Sequence, residues 1–303
     1  MFISHRSTNK HSGFLRQLFG PTSTPTMAQS FTSPRLQQQA QLCDAPQIKK
    51  PVRRHCHNPV NALLDKSQPL QRLARELNRP GYHPTPITLG VKSDPYRVND
   101  KQLATTRQIL ELLLAHKHPV HIITKSHLIV KDLDILTQLA KQRLCTVELC
   151  LHTMDSHLSR KIEPRTSSPA ARLKTISRLS GADIPVAAMV APLIPVVNDA
   201  EMEALLTAAQ QAGAIAAGYE YLNLPTDLAG EFDLWLQRHY PEQAERIFHL
   251  SQANLSSSAQ EFARMVQQRF QLCCQKLGLS HGGLPVLDTS FFRPTQPSLI
   301  TSG

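Results

Sequence analysis

No stretch of this 303-residue chain is apolar for the roughly 18 residues that a bilayer-spanning helix needs, so a membrane-embedded protein is not expected. The N-terminus also lacks the compact apolar stretch of a secretory signal. Glycine is scarce, 12 residues in all, and neither a phosphate-loop motif nor G-x-G-x-x-G occurs, which removes the common nucleotide-cradling loops. H-E-x-x-H and G-x-S-x-G are absent too, excluding the usual zinc-protease and serine-hydrolase signatures. The cysteines, Cys43, Cys56, Cys145, Cys150, Cys273 and Cys274, have neither the density nor the regular spacing of a disulfide framework. A reducing, cytoplasmic setting fits them best.

What is present begins with charge. The formal net charge is +10, a value that suggests a nucleic-acid partner until its distribution is considered. Residues 1–60 hold eight Lys/Arg against Asp44 alone, so most of the basicity belongs to the first fifth of the chain. Residues 1–50 are rich in Ser, Thr, Gln and Pro without an apolar period, and cannot bury enough surface to offset the entropy of ordering. Three regions are expected: a basic, disordered tail over 1–60, a folded body over 61–280, and an extended Pro- and Ser-rich tail over 281–303.

The body alternates short apolar runs with helical patterns. Runs at 86–96, 120–126, 145–153, 185–195 and 216–225 read as strands, and 99–117, 132–143, 168–182, 199–214 and 230–240 as the helices that follow them. A longer amphipathic helix is expected over 257–279, with Phe262, Val266, Arg269, Phe270 and Cys273 on one face. Repeated β-α units with continuous apolar strands imply a parallel sheet, either doubly wound or closed toward a barrel. In both architectures reactive side chains gather past the carboxyl ends of the strands. Those ends carry Ser93, Asp94 and Tyr96, then Lys125 and Ser126, then His152, Thr153 and Asp155, then Asn198 and Asp199, and finally Asn223. Polar residues there also cap helices, and Asp132 and Asp199 read as caps. Cys145 and Cys150, five residues apart on one strand, should face opposite sides of the sheet and cannot share a metal.

The segments "QPLQRLARELNRPGYHP", "LGVKSDPY", "TRQILELLLAHKHPVHIITKS", "KDLDILTQLA", "HTMDSHLSRKIEPRTSSPAARLKTI", "IPVAAMVAPLIPVVND" and "GYEYLNLP" occur in order and carry a resemblance. Together they resemble radical-SAM proteins of the spore photoproduct lyase-like group, the DNA repair photolyase homologues, over about residues 68–250. "VLDTSFFRP" is similar to the group's C-terminal end. The resemblance implies a partial (β/α)6 barrel, here without its first β-α unit. It also implies a 4Fe-4S cluster and S-adenosyl-L-methionine (SAM) as cofactors, with nucleic acid as a partner. In that group C-x-x-x-C-x-x-C supplies three thiolates to three irons and leaves the fourth for SAM, whose reductive cleavage releases a 5'-deoxyadenosyl radical.

This chain contains no such triplet. "RRHCHNPVN" at 53–61 places Cys56 between His55 and His57, and Cys56 is the one position that the resemblance offers as a metal ligand. By motif match, Ser93, Asp94, Tyr96, Lys125, Ser126, Thr153 and Asn198 would contact SAM or substrate. Further departures from the group are His152-Thr153 in place of Thr-Thr, Val196 or Val197 in place of Gly, and Asn223 in place of Arg. Three readings stay open: an active enzyme with unusual cluster ligation, a barrel that binds SAM or a nucleotide without radical chemistry, and a non-functional relic.

Overall fold

The computed structural model describes residues 68–294, except 92, 223, 225–227, 253–255 and 282. Cys56 with its flanking histidines, and Asn223, therefore lie outside the described residues. After helix α1 (Pro69–Leu77) the chain lays down β1 (Ile87–Leu89), α2 (Asp100–Ala115), β2 (Val120–Thr124), α3 (Leu133–Lys141) and β3 (Cys145–Cys150). There follow α4 (Ser156–Ile162), α5 (Pro169–Ser180), β4 (Val186–Leu193), α6 (Met202–Gln211), β5 (Ala216–Tyr221), α7 (Ala229–His239), α8 (Ala244–Leu250) and α9 (Ser257–Leu277).

All five strands are parallel and lie in sequence order, β1-β2-β3-β4-β5. That order decides between the two architectures. A doubly wound sheet reverses direction partway, whereas successive neighbours with every crossover on one side curve toward a barrel. The alternation of side chains shows which side is covered. Leu89, Ile122, Val147 and Val186 form one rung across β1 to β4, and all are buried in the main core with residues of α2, α3, α5, α6 and α9. The rungs of the other face are Thr88–His121–Thr146, then Ile123–Glu148–Ala187–Ala216, then Cys150–Met189–Gly218. None of these residues belongs to the main core. One face is thus apolar and packed under helices, and the concave face is polar on β2 and β3 and carries Ala187, Met189, Ala216 and Gly218 on β4 and β5. Cys145 packs in the main core while Cys150, half-buried, is on the concave side. Met189 fills the space over Gly218, where an added Cβ would sit 2.6 Å from its Cε.

Several boundaries differ from the sequence reading. The first strand is three residues long, because the chain turns at Gly90 with φ +99°. Asn99 caps α2 by accepting from Gln102 N, so the helix starts with Asp100 already inside it. Asp132 and Asp199 make no side-chain cap. Asp132 pairs with Arg107 at 3.1 Å, and Asp199 accepts from Val196 N and Arg269 instead. A guanidinium from another helix thus takes one oxygen of each carboxylate, and at Asp199 the local amide of Val196 takes the other. Helices α4 and α8 were not anticipated, since seven residues give too few turns for a clear period. They build a second, smaller core at the carboxyl end of the sheet, where Leu158 and Ile162 pack with Phe232, Trp235 and Ile247.

The chain after α9 returns to the sheet. Ser280 pairs alongside the start of β5, and Asp288 then bonds Arg143 through both backbone and side chain. Phe292 ends this strap among Tyr82, His116 and His118.

Gly90 generates a test of the first turn. A Cβ there would lie 2.0 Å from the Ile123 carbonyl oxygen, a backbone atom that cannot rotate away. Gly90→Ala should cost roughly 3 kcal/mol or more in urea denaturation. Gly81→Ala, at φ +75° with open space around it, should cost about 1 kcal/mol. Equal losses would show that the turn tolerates a side chain.

Candidate functional site

Among the strand ends, Asp94 is the first fixed point. It is buried beyond β1, where Oδ1 accepts from Tyr96 N at 2.9 Å and from Thr124 Oγ1 at 2.7 Å, and Oδ2 accepts from Lys125 N at 3.0 Å. One carboxylate therefore ties the turn after β1 to the end of β2. A carboxylate has about four acceptor positions, so one remains on Oδ2. The Tyr96 ring goes into the main core, where burial raises its pKa well above 10.0 and nearby Asp132 adds to the shift. Ser126 accepts from Leu128 N, capping the short 3-10 helix that follows β2. Ser93 is exposed and lines a cleft of ≈ 400 Å³ with Thr88, Gly90, Asn99, Gln102 and Thr106.

From β2 the chain of bonds continues through charge. Lys125 Nζ donates to Glu163 Oε1 at 2.7 Å, and Arg172 Nη2 donates to Glu163 Oε2 at 2.5 Å. Burial alone would raise the Glu163 pKa, but Arg172 and Lys125 outweigh it and hold the carboxyl far below the usual range. Arg172 spends its remaining donors on Ser167 O, Thr166 Oγ1, Cys150 O and His152 Nδ1. His152 is held at its other end by Asn198, whose Nδ2 donates to His152 O at 2.7 Å and to Pro192 O at 2.9 Å. Asn198 Oδ1 accepts from Ile194 N. Thr153 donates to Glu201, which also accepts from Met154 N.

Hydrogen bonds thus run unbroken from the end of β1 to the end of β4 along Asp94, Lys125, Glu163, Arg172, His152 and Asn198. The structure brings Asp94, Lys125 and Asn198 into one rim, joins Thr153 to its β4 side, and sets Ser93 in the neighbouring cleft. Glu163 and Arg172, which complete the rim with the strand-end residue His152, escaped sequence reasoning. One signal was available: Arg172 stands in the apolar stripe of α5 with Pro169, Thr175, Ile176 and Leu179, a position a charge occupies only with a buried partner.

The concave face holds one more polar set. His121 lies between Thr146 Oγ1 at 2.9 Å and Glu148 Oε2 at 3.1 Å. Burial pushes the neighbouring Cys150 thiol up to about 12, which keeps it protonated. Among the described residues no three His, Cys, Asp or Glu side chains group as a metal site. Cys145 is in the core, Cys150 stands alone on the concave face, and Cys273 and Cys274 sit on α9. These positions do not fit a three-thiolate cluster.

Two tests follow from the rim and its histidines. Glu163→Gln would leave Arg172 and Lys125 without their anion, with an expected loss of roughly 3 kcal/mol in denaturant unfolding. Burial also lowers His118 and His152 to about 4 from 6.5, and lowers His116. Between pH 6.5 and about 4 the unfolded chain binds protons that the folded chain refuses, so stability should fall as pH drops through that window. Unfolding free energies unchanged from pH 7.5 to 5 would contradict this.

Comparison with known proteins fits this architecture. The sequence profile of the radical SAM superfamily matches residues 54–209, a span that contains Cys56 and the whole rim from Asp94 to Asn198. Uncharacterized proteins of Mycobacterium bovis and Mycobacterium tuberculosis are 32% identical over 180 residues, 59% of this chain and 53% of theirs. An uncharacterized protein of Acidianus two-tailed virus is 33% identical over 109 residues, 36% of this chain and 35% of its own. The chain thus spans about half the length, or less, of these curated relatives. Among solved structures, a spore photoproduct lyase mutant with bound AdoMet and dinucleoside spore photoproduct matches with TM-score 0.50 and 13% identity, over 70% of this chain and 64% of that one. The same enzyme complexed with the dinucleoside photoproduct matches with TM-score 0.50 and 15% identity, over 75% of this chain and 72% of that one. At such identities the likeness is one of fold. With the profile covering half of its length and the strand order of a partial barrel, the chain belongs to the radical SAM superfamily.

Proposed function

We propose that this protein is a radical-SAM-type barrel of the spore photoproduct lyase-like group that keeps a nucleoside-binding rim and no longer carries out reductive cleavage of SAM with a cluster of its own. The observation that carries this reading is the continuous hydrogen-bonded rim from Asp94 to Asn198 in a chain without C-x-x-x-C-x-x-C. A wired rim is pre-organised, and pre-organisation reduces the entropic cost of binding. The ligand class is SAM or a related nucleoside, contacted by Ser93, the remaining Asp94 acceptor, Lys125 and Thr153. Tyr96, Ser126 and Asn198 support that rim from behind. Nucleic acid is the partner by analogy with the photoproduct lyases, and a cytoplasmic location accords with the free cysteines.

A second reading has one observation in its favour. The superfamily match begins at residue 54, so Cys56 falls inside it. In that reading Cys56, with His55 or His57 and thiolates from a partner chain, would hold the 4Fe-4S cluster, and the protein would be a lyase-type enzyme.

Anaerobic reconstitution with iron and sulfide, followed by calorimetry with SAM, separates the two. The first reading expects iron near zero per chain, no broad absorbance near 400 nm, and SAM binding that Lys125→Ala weakens about tenfold through loss of a charge-assisted contact. Stoichiometric iron with that absorbance would favour the second. Absence of SAM binding at saturating concentrations would exclude the first.

A further inference from the structure

His152 is 1% exposed, and its two ring nitrogens stand in opposite situations. Nδ1 is 3.2 Å from Arg172 Nη1 and 3.4 Å from Glu163 Oε2. A guanidinium only donates and a carboxylate only accepts, so the two neighbours ask for opposite tautomers. Arg172 is nearer. Glu163 Oε2 also already takes the shorter bond from Arg172 Nη2. Nδ1 is therefore the acceptor, and the single imidazole proton lies on Nε2.

Nε2 has no hydrogen-bond partner among the described residues. A buried N–H left unpaired costs about 1–3 kcal/mol, and native proteins rarely carry one without a use. We propose that His152 Nε2–H is a ligand-binding donor at the end of β3, and that it takes a hydrogen-bond acceptor, an oxygen or ring nitrogen, on a neutral or anionic group of the ligand.

The surroundings narrow the chemistry. Arg172 and Lys125 both face this imidazole, with Glu163 the one anion between them. A cationic ligand group would meet two positive charges for one negative. A metal ion on Nε2 would require the proton to move to Nδ1, against Arg172. General acid–base work is excluded on the same ground, because a second proton would also have to enter at Nδ1. What remains is a fixed, neutral donor whose orientation is secured at both ends, by Arg172 on the ring and by Asn198 on the carbonyl.

The choice of SAM as a probe rests on the nucleoside-binding reading above, whereas the donor assignment does not. In protein labelled with ¹⁵N-histidine, the imidazole of His152 should appear as the Nε2–H tautomer and stay neutral to below pH 5. Titration with SAM and, separately, with adenosine should move the Nε2–H resonance. His152→Gln, which retains an N–H donor, should bind within about threefold of wild type, while His152→Phe should lose about tenfold. The unfolding midpoint of each variant, recorded alongside, establishes that binding is compared between folded proteins.

An Nδ1–H tautomer would overturn the proposal. So would wild-type affinity in His152→Phe, or a slowly exchanging water at Nε2–H that neither probe displaces. SAM binding with an unmoved resonance would remove the donor site and leave the nucleoside reading standing. Calorimetric silence toward SAM, with the resonance moved by adenosine, would remove SAM as the ligand and uphold the donor site. Silence toward both probes would remove both.

Discussion

The buried pair of Arg172 and Glu163 is the contact on which the carboxyl end of this sheet depends. Arg172, 1% exposed, is the largest fully buried side chain among the described residues, and its guanidinium reaches two backbone carbonyls, a threonine hydroxyl, an imidazole and a carboxylate. Ion pairs taken out of water repay their desolvation only when the remaining donors and acceptors are satisfied. Here they are: Lys125 takes the second oxygen of Glu163, and every branch of the guanidinium has a partner. The pair earns its place by geometry more than by stability, since it joins the end of β2, the end of β3 and the start of α5 at one point.

From that point the consequences extend both ways along the rim. Toward β1, Lys125 is fixed at its backbone by Asp94 and at its ammonium by Glu163, so its long side chain is not free to sample rotamers. Toward β4, Arg172 lies against Nδ1 of His152, and Asn198 secures the carbonyl of the same residue. The rim is polar and stiff, while the concave wall below it passes from His121 and Glu148 on β2 and β3 to Ala187, Ala216 and Gly218 on β4 and β5.

Much of the framework was legible from local pattern. The five strands and their following helices were visible as apolar runs because a parallel strand buried under helices must be apolar, and its crossover helix must be amphipathic. The opposite facing of Cys145 and Cys150 followed from the two-residue period. Legibility failed where side chains reach across the chain. Asp132 and Asp199 look like caps locally, but Arg107 and Arg269 approach from other helices and take the carboxylates. Asp94 and Asn198 stand at strand ends as ligand-binding residues do, yet much of their hydrogen-bonding capacity is used to join neighbouring strand ends.

The sequence by itself determined that the body is a parallel α/β fold of the radical SAM kind, and that no C-x-x-x-C-x-x-C is present to hold a cluster. The parallel α/β pattern is readable from periodicity and the missing motif from spacing, whereas the radical SAM kind rests on the resemblance of several ordered segments. Only the tertiary structure decided that the strands run in sequential order, that Glu163, Arg172 and His152 complete the rim, and that His152 Nδ1 meets Arg172 while Nε2 has no hydrogen-bond partner among the described residues. These depend on which residues meet across 9 to 46 positions of sequence, and a buried charge chooses its partner by desolvation and geometry that no local window contains.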